Sequence, residues 1–257
     1  MTAHEDAVEV PRPRAGRPED PAVLTALRQA DLRPIGYLTN ASNHTLYCEL
    51  GDSGLAAVYK PQSGERPLWD FPLGSLCRRE VAAYVVSEAL GWALVPPTVL
   101  REGPVGMGSA QLFVPHDPRL HYFALVEDRR HHPTLARMAL FDLLVNNTDR
   151  KGSHVLLGEE DGRLYGIDHG LTFHPQPKLR TVIWELAGMR VDPRCRTDLG
   201  HLAETLTGDA GPVTGELCEL LSAQEVARCA ARAARLRTIR ALPEATEDSR
   251  SYPWPPL

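Results

Sequence analysis

The sequence predicts an α+β fold of two unequal lobes: a small antiparallel β-sheet with one helix against it, then a mainly helical half. Three observations carry this expectation. Short β-prone runs separated by polar turns fill the chain up to Val114, one helical period interrupts them, and the helical periods after Val114 enclose only one further hairpin. At 257 residues, 43% apolar and 24% charged, the chain has the length and composition for two lobes sharing a cleft.

Residues 1–20 are polar and Pro-rich and are expected to form a flexible leader. An N-lobe is expected over 21–114. In it IGYL (35–38) and TLYCEL (45–50) flank the loop Thr39-Asn40-Ala41-Ser42-Asn43-His44, and LAAVYK (55–60) follows a Gly-Asp-Ser-Gly turn, which predicts a three-stranded meander. Val81, Tyr84, Val85 and Ala89 recur at helical spacing between Arg78 and Leu90, and Gly91 supplies the stop. VPPTVL (95–100) and AQLFV (110–114) complete the sheet, and Val114-Pro115 ends it. A C-lobe is expected over 115–242. Its first long helix, Leu135 to Val145, runs into Asn146-Asn147-Thr148-Asp149-Arg150, and HVLLG (154–158) pairs with LYGID (164–168) across a Glu-Glu-Asp-Gly turn. Ser222-Ala-Gln-Glu225 has the form of a capping box, opening a helix that Pro243 closes; the arginines at 228, 232, 235, 237 and 240 suit its solvated face. Residues 243–257 are expected to form a flexible Pro-rich tail.

The net charge of −5 provides no general attraction to nucleic acid, so no nucleic-acid partner is expected. No run approaches the ~20 apolar residues of a membrane span, which argues against stable membrane insertion. Five scattered cysteines without a C-x-x-C pair suit a reduced, cytoplasmic setting.

Phosphoryl transfer needs a cation on the phosphates, a metal to neutralise charge and a carboxylate to orient the incoming hydroxyl. Lys60 ends a strand, and Glu80 follows on a helix where it can pair with it; Asp149 sits just after a helix, and Asp168 follows the strand LYGI as I-D-H-G. Singly, each has an ordinary explanation: a solvated strand-end lysine, or an aspartate in a turn. In this order they match the kinase scheme of lysine, helix glutamate, catalytic-loop aspartate and metal-binding aspartate. Backbone groups around Ser42 and Asn43 can face phosphate, although a plain turn has the same residues.

These blocks resemble the type II phosphatidylinositol 4-kinases and, more loosely, the wider phosphatidylinositol 3/4-kinase-like group, over about residues 34–185. AVYKP resembles the lysine strand, RREVAAYVVSEALGWALVPPTVL the glutamate helix and next strand, and GSAQLFV the hinge; LLVNNTDRKGSHVLL and GIDHGLTF resemble the catalytic and metal-binding segments. The resemblance implies a two-lobed protein-kinase-like fold with ATP and Mg²⁺ or Mn²⁺ in the cleft. It implies that Lys60 contacts the ATP phosphates, Glu80 orients it, and backbone near Leu112, Phe113 and Val114 holds adenine. Asp149 then orients the acceptor hydroxyl and Asp168 holds the metal. By its place in the loop, Arg150 positions phosphate or the catalytic loop, or is a plain surface arginine. His154 stands where a kinase has its second metal-ligating asparagine, as a metal ligand or as a hydrogen-bonding loop residue. The family's cysteine-rich palmitoylation segment has no counterpart, so the acceptor is an unidentified hydroxyl of a small molecule or protein. A nucleotide-binding pseudokinase and an AMP transferase are the alternatives.

Overall fold

The computed structural model describes residues 16–17, 19–38, 44–208, 211–245 and 251–257. Strands β1 (Leu32–Tyr37), β2 (Leu46–Leu50), β3 (Ala56–Pro61), β4 (Thr98–Gly103) and β5 (Gly106–Leu112) form one sheet in the order β1-β2-β3-β5-β4, antiparallel throughout. Period-two alternation sorts its faces. Leu46, Cys48 and Leu50 of β2, with Ala57 and Tyr59 of β3, join an apolar cluster on one face. Val58 and Lys60 therefore project from the other face, into a cavity between sheet and helices. A Cβ on Gly108 would lie 2.5 Å from the Lys60 carbonyl oxygen, so glycine lets β5 close on the lysine strand.

The buried face of the sheet is covered by α1 (Pro21–Gln29), which the sequence reading did not anticipate. Val23 and Leu27 enter the cluster; Asp20 caps the helix by accepting from the Ala22 N–H at 2.9 Å, and Pro21 occupies its first turn. The expected helix after β3 is α2 (Leu76–Ala89). Val81, Ala82, Val85 and Val86 of α2 belong to the core of the second lobe, so α2 links the lobes as well as carrying Glu80.

That larger core is built by α4 (His132–Val145), α5 (Pro193–Thr207), α6 (Pro212–Leu220) and α7 (Ala223–Leu236), with the short α3 (Tyr122–Leu125) beside them. Strands β6 (Val155–Leu157) and β7 (Leu164–Gly166) form the expected hairpin. The capping box of α7 is present: Ser222 Oγ accepts from the Glu225 N–H, and Glu225 Oε2 accepts from the Ser222 N–H at 2.9 Å. This helix stops at Leu236 instead of running to Pro243, because Arg240 to Leu242 turn back to hydrogen-bond Val191, Met189 and Gly188.

The expectation of a flexible tail over 243–257 needs correction for residues 251–257. The Ser251 carbonyl accepts from the Thr181 N–H (3.1 Å) and from Trp184 Nε1 (3.1 Å), and the Pro256 carbonyl accepts from the Gly152 N–H at 2.8 Å. These residues thus brace the loop that follows Asp149. Deleting residues 251–257 is expected to speed hydrogen exchange at the Gly152 and Thr181 amides, read by mass spectrometry, while amides in the middle of α4 keep their protection.

Candidate active site

Three separate elements deliver the central charges. β3 brings Lys60, α2 brings Glu80, and the turn after β7 brings Asp168. Lys60 Nζ pairs with Glu80 Oε1 and lies 2.8 Å from Asp168 Oδ1. The other Glu80 oxygen accepts from the His169 N–H at 2.8 Å, so α2 and the Asp168 turn are tied through one carboxylate. Asp168 itself has φ +60°, a left-handed conformation that aspartate tolerates better than most residues.

Electrostatics in this cluster follow from burial and partners. Burial opposes the Lys60 ammonium, but the Asp168 and Glu80 carboxylates outweigh it, so its pKa lies above the ordinary lysine value. Burial also disfavours the Asp168 carboxylate, yet Lys60 and the His154 ring hold its pKa well below the usual range. Glu80 is raised, because burial outweighs the attraction of Lys60 and the Asp168 charge adds to it.

Asp149 is set by the end of α4. Asn146 leaves the helix with φ +53°. Asn147 then hydrogen-bonds back to Asp142 Oδ1 through Nδ2 (3.0 Å), while its Oδ1 accepts from the Asp149 N–H (3.0 Å). Lys151 Nζ lies 3.4 Å from Asp149 Oδ2. Burial, with the Asp168 charge adding, pushes the Asp149 carboxyl up to about 6 despite Lys151.

His154 Nε2 lies 3.2 Å from Asp168 Oδ2. The Lys151 N–H points at His154 Nδ1 (3.4 Å), which makes that nitrogen the acceptor and leaves the proton on Nε2, facing Asp168. Burial lowers the ring's pKa to about 4, so it is neutral near pH 7. Metal ligation by Nε2 requires the opposite tautomer.

Of the settings expected for Arg150, phosphate, catalytic loop or surface, its surroundings suit the loop. It is fully buried and absent from the cavity wall. Its guanidinium contacts both oxygens of Asp142 at 2.9–3.1 Å, the carbonyls of His154 (3.1 Å) and Ile167 (2.9 Å), and His169 Nε2 (2.6 Å). It therefore positions the catalytic-type loop against the Asp168 turn. Asp142 and His169, its partners, were missed as site-supporting residues; a buried aspartate in an apolar helix eight positions before Arg150 was the available signal. Lys178, ten residues after Asp168, is taken by an ion pair with Asp70 and lies 4.6 Å from the Trp69 ring centre.

Lys60, Glu80, Leu112, Phe113, Val114, Asp149, His154 and Asp168 all line one cavity of about 530 Å³ between sheet and helices. Ser42 and Asn43 lie outside the described residues. Among the described residues no group of three or more His, Cys, Asp or Glu side chains is arranged around a metal. The Asp168 carboxylate, 42% exposed, suits a hard divalent cation that takes its remaining oxygens from phosphates and water.

No protein-family model matches the chain. It is 39% identical over 278 aligned positions to Protein Rv2133c of Mycobacterium tuberculosis (strain ATCC 25618 / H37Rv), spanning 93% of this chain and 96% of that protein. The chain belongs to the Rv2133c family. The fold of this Rv2133c-family chain is similar to that of the Golgi casein kinase crystallised with Mn/ADP bound (TM-score 0.54, 15% identity, 84% of this chain and 74% of that one). It is also similar to that of hydra Fam20 with sugar (TM-score 0.52, 16% identity, 84% and 86%). The two-lobed kinase-like fold expected from the sequence is therefore the fold of the Rv2133c-family chain. No helix among its described residues is long and apolar enough to cross a membrane.

Proposed function

We propose that this chain is an ATP-dependent phosphotransferase that moves the γ-phosphoryl group to a hydroxyl acceptor. One observation carries the reading: the Lys60 ammonium, held between Glu80 and Asp168, shares a cavity with a second carboxylate, Asp149, whose proton affinity is raised. Lys60 is placed to meet phosphate oxygens, with Glu80 keeping it from collapsing wholly onto Asp168. Asp168, ionised across the neutral range, would hold Mg²⁺ or Mn²⁺. Such an ion, when bound, would neutralise charge on the phosphates. Asp149 accepts the acceptor's hydroxyl proton. At the hinge the Leu112 and Phe113 N–H groups are taken by the Pro97 and Ala56 carbonyls, and the Val114 carbonyl accepts from His116 Nδ1; among the described residues the Val114 N–H has no partner and can meet adenine.

The finer resemblance to type II phosphatidylinositol 4-kinases, the unidentified small-molecule or protein acceptor and a cytoplasmic setting belong to the same proposal. For the last, all five cysteines are free and four are buried. ATP turnover with Mg²⁺ or Mn²⁺, followed across an acceptor panel, tests the reading; no turnover above that of a Lys60→Met chain would overturn it. A nucleotide-binding pseudokinase is the second reading, favoured by the His154 ring, its Nε2 3.2 Å from Asp168 Oδ2, standing where a metal-ligating asparagine is usual. Nucleotide binding without turnover separates the two.

With a carboxyl near 6 as the base, kcat/KM is expected to fall as pH drops through about 6, because protonated Asp149 cannot accept the hydroxyl proton. A pH–rate profile checks this. A limb that stays flat down to pH 4.5 excludes Asp149 as that base.

A further inference from the structure

A second cavity, of about 290 Å³, lies in the helical lobe between the start of α4, the segment before α5 and the chain after α7. It shares no lining residue with the cleft. Four arginines line it: Arg137 from α4, Arg190, Arg196 from α5, and Arg240. Backbone pairing brings two of them together, since Arg190 bridges Ala241 and the Val191 N–H donates to the Arg240 carbonyl at 2.9 Å. Arg240, expected from the sequence on a solvated helix face, is thereby turned into this wall.

The single carboxylate among the lining residues, Asp192, accepts from the Arg194 N–H at 2.8 Å as the cap of α5. Among the described residues none of the four guanidiniums takes part in an ion pair. Among the described residues the Nε atoms of Arg137 and Arg196 are buried without a hydrogen-bond partner, and Arg137 lies beside the Cys195 thiol. Four like charges around one hollow repel one another, and buried donors without partners are costly; an anion relieves both. Leu140, Val191 and Leu242 supply an apolar part of the lining.

We infer that this cavity is a binding site for a small phosphate monoester, the phosphate held by the arginines and its organic part against the apolar lining. Guanidinium forks match phosphate oxygens in geometry, and an excess of three positive charges suits a dianion better than a single carboxylate. The volume, near the lower end of the ~300–1,000 Å³ range of small-molecule pockets, suits a metabolite rather than a polymer segment.

Calorimetric titration of the full chain with phenyl phosphate, at low and at physiological ionic strength, tests this. Binding is expected that weakens with salt, persists in Lys60→Met, and falls by at least about tenfold in Arg137→Gln/Arg196→Gln. The pair Arg190→Gln/Arg240→Gln, at exposed positions, is expected to weaken binding similarly while the melting temperature stays unchanged, which separates loss of the site from loss of the fold. No binding, affinity unchanged from the parent chain in both arginine variants, or loss of binding in Lys60→Met would overturn the site. Citrate binding more tightly than phenyl phosphate would overturn the phosphate assignment.

Discussion

Replacing Asp168 with alanine is expected to lower ATP turnover by roughly a thousandfold, the scale seen when one preorganised electrostatic group is removed from an active site. Two effects combine. The carboxylate proposed to hold the cation disappears, and Lys60 loses the partner that sits 2.8 Å from its ammonium. Lys60 is then free to collapse onto Glu80, out of reach of phosphate. The fold should survive, because the Asp168 side chain is 42% exposed and the turn stays anchored by Glu80 accepting from the His169 N–H. Circular dichroism and melting temperature close to those of the parent, with turnover near background, is the expected combination. Undiminished turnover in a folded Asp168→Ala chain would sink the assignment of the metal site and with it the proposed chemistry.

Arg150→Met is expected to destabilise the chain by about 3–5 kcal/mol, the usual cost of leaving one member of a buried ion pair without its partner. Both side chains of the Arg150–Asp142 pair are fully buried, and the same guanidinium also satisfies two carbonyls and His169 Nε2. Urea denaturation at pH 7 measures this loss. The double change Arg150→Met/Asp142→Leu should recover part of it, since no charge is then left buried. A loss below about 1 kcal/mol in Arg150→Met would show that the pair does not hold the loop, because that is the range of exposed pairs. Nucleotide binding measured alongside should weaken, as the loop carrying Asp149 and the turn carrying Asp168 lose their common brace.

What each level of description determines can be followed residue by residue. The alternation LAAVYK and the helical spacing of Val81, Tyr84 and Val85 are local patterns, so the strand of Lys60 and the helix of Glu80 were legible from the sequence, as were the α4-to-Asp149 junction and the β7-to-Asp168 turn. Helix α1 escaped notice because its nine residues bury only Val23 and Leu27, too few for a clear period. The burial of Arg150 was not legible because an arginine in a polar loop has no local mark of it; its partner Asp142 lies on a helix and His169 nineteen residues on. The contacts of Ser251 and Pro256 were unreadable for the same reason, since a Pro-rich segment acquires its backbone partners only from a distant surface.

The sequence by itself determined the order of elements and the chemistry each presents, because periodicity and capping act over a few residues. Only the tertiary structure decided which charges meet. The Lys60–Glu80–Asp168 cluster, the buried Arg150–Asp142 brace and the four-arginine cavity all join residues from separate elements. Their energies depend on burial and distance, which exist only once the lobes have packed.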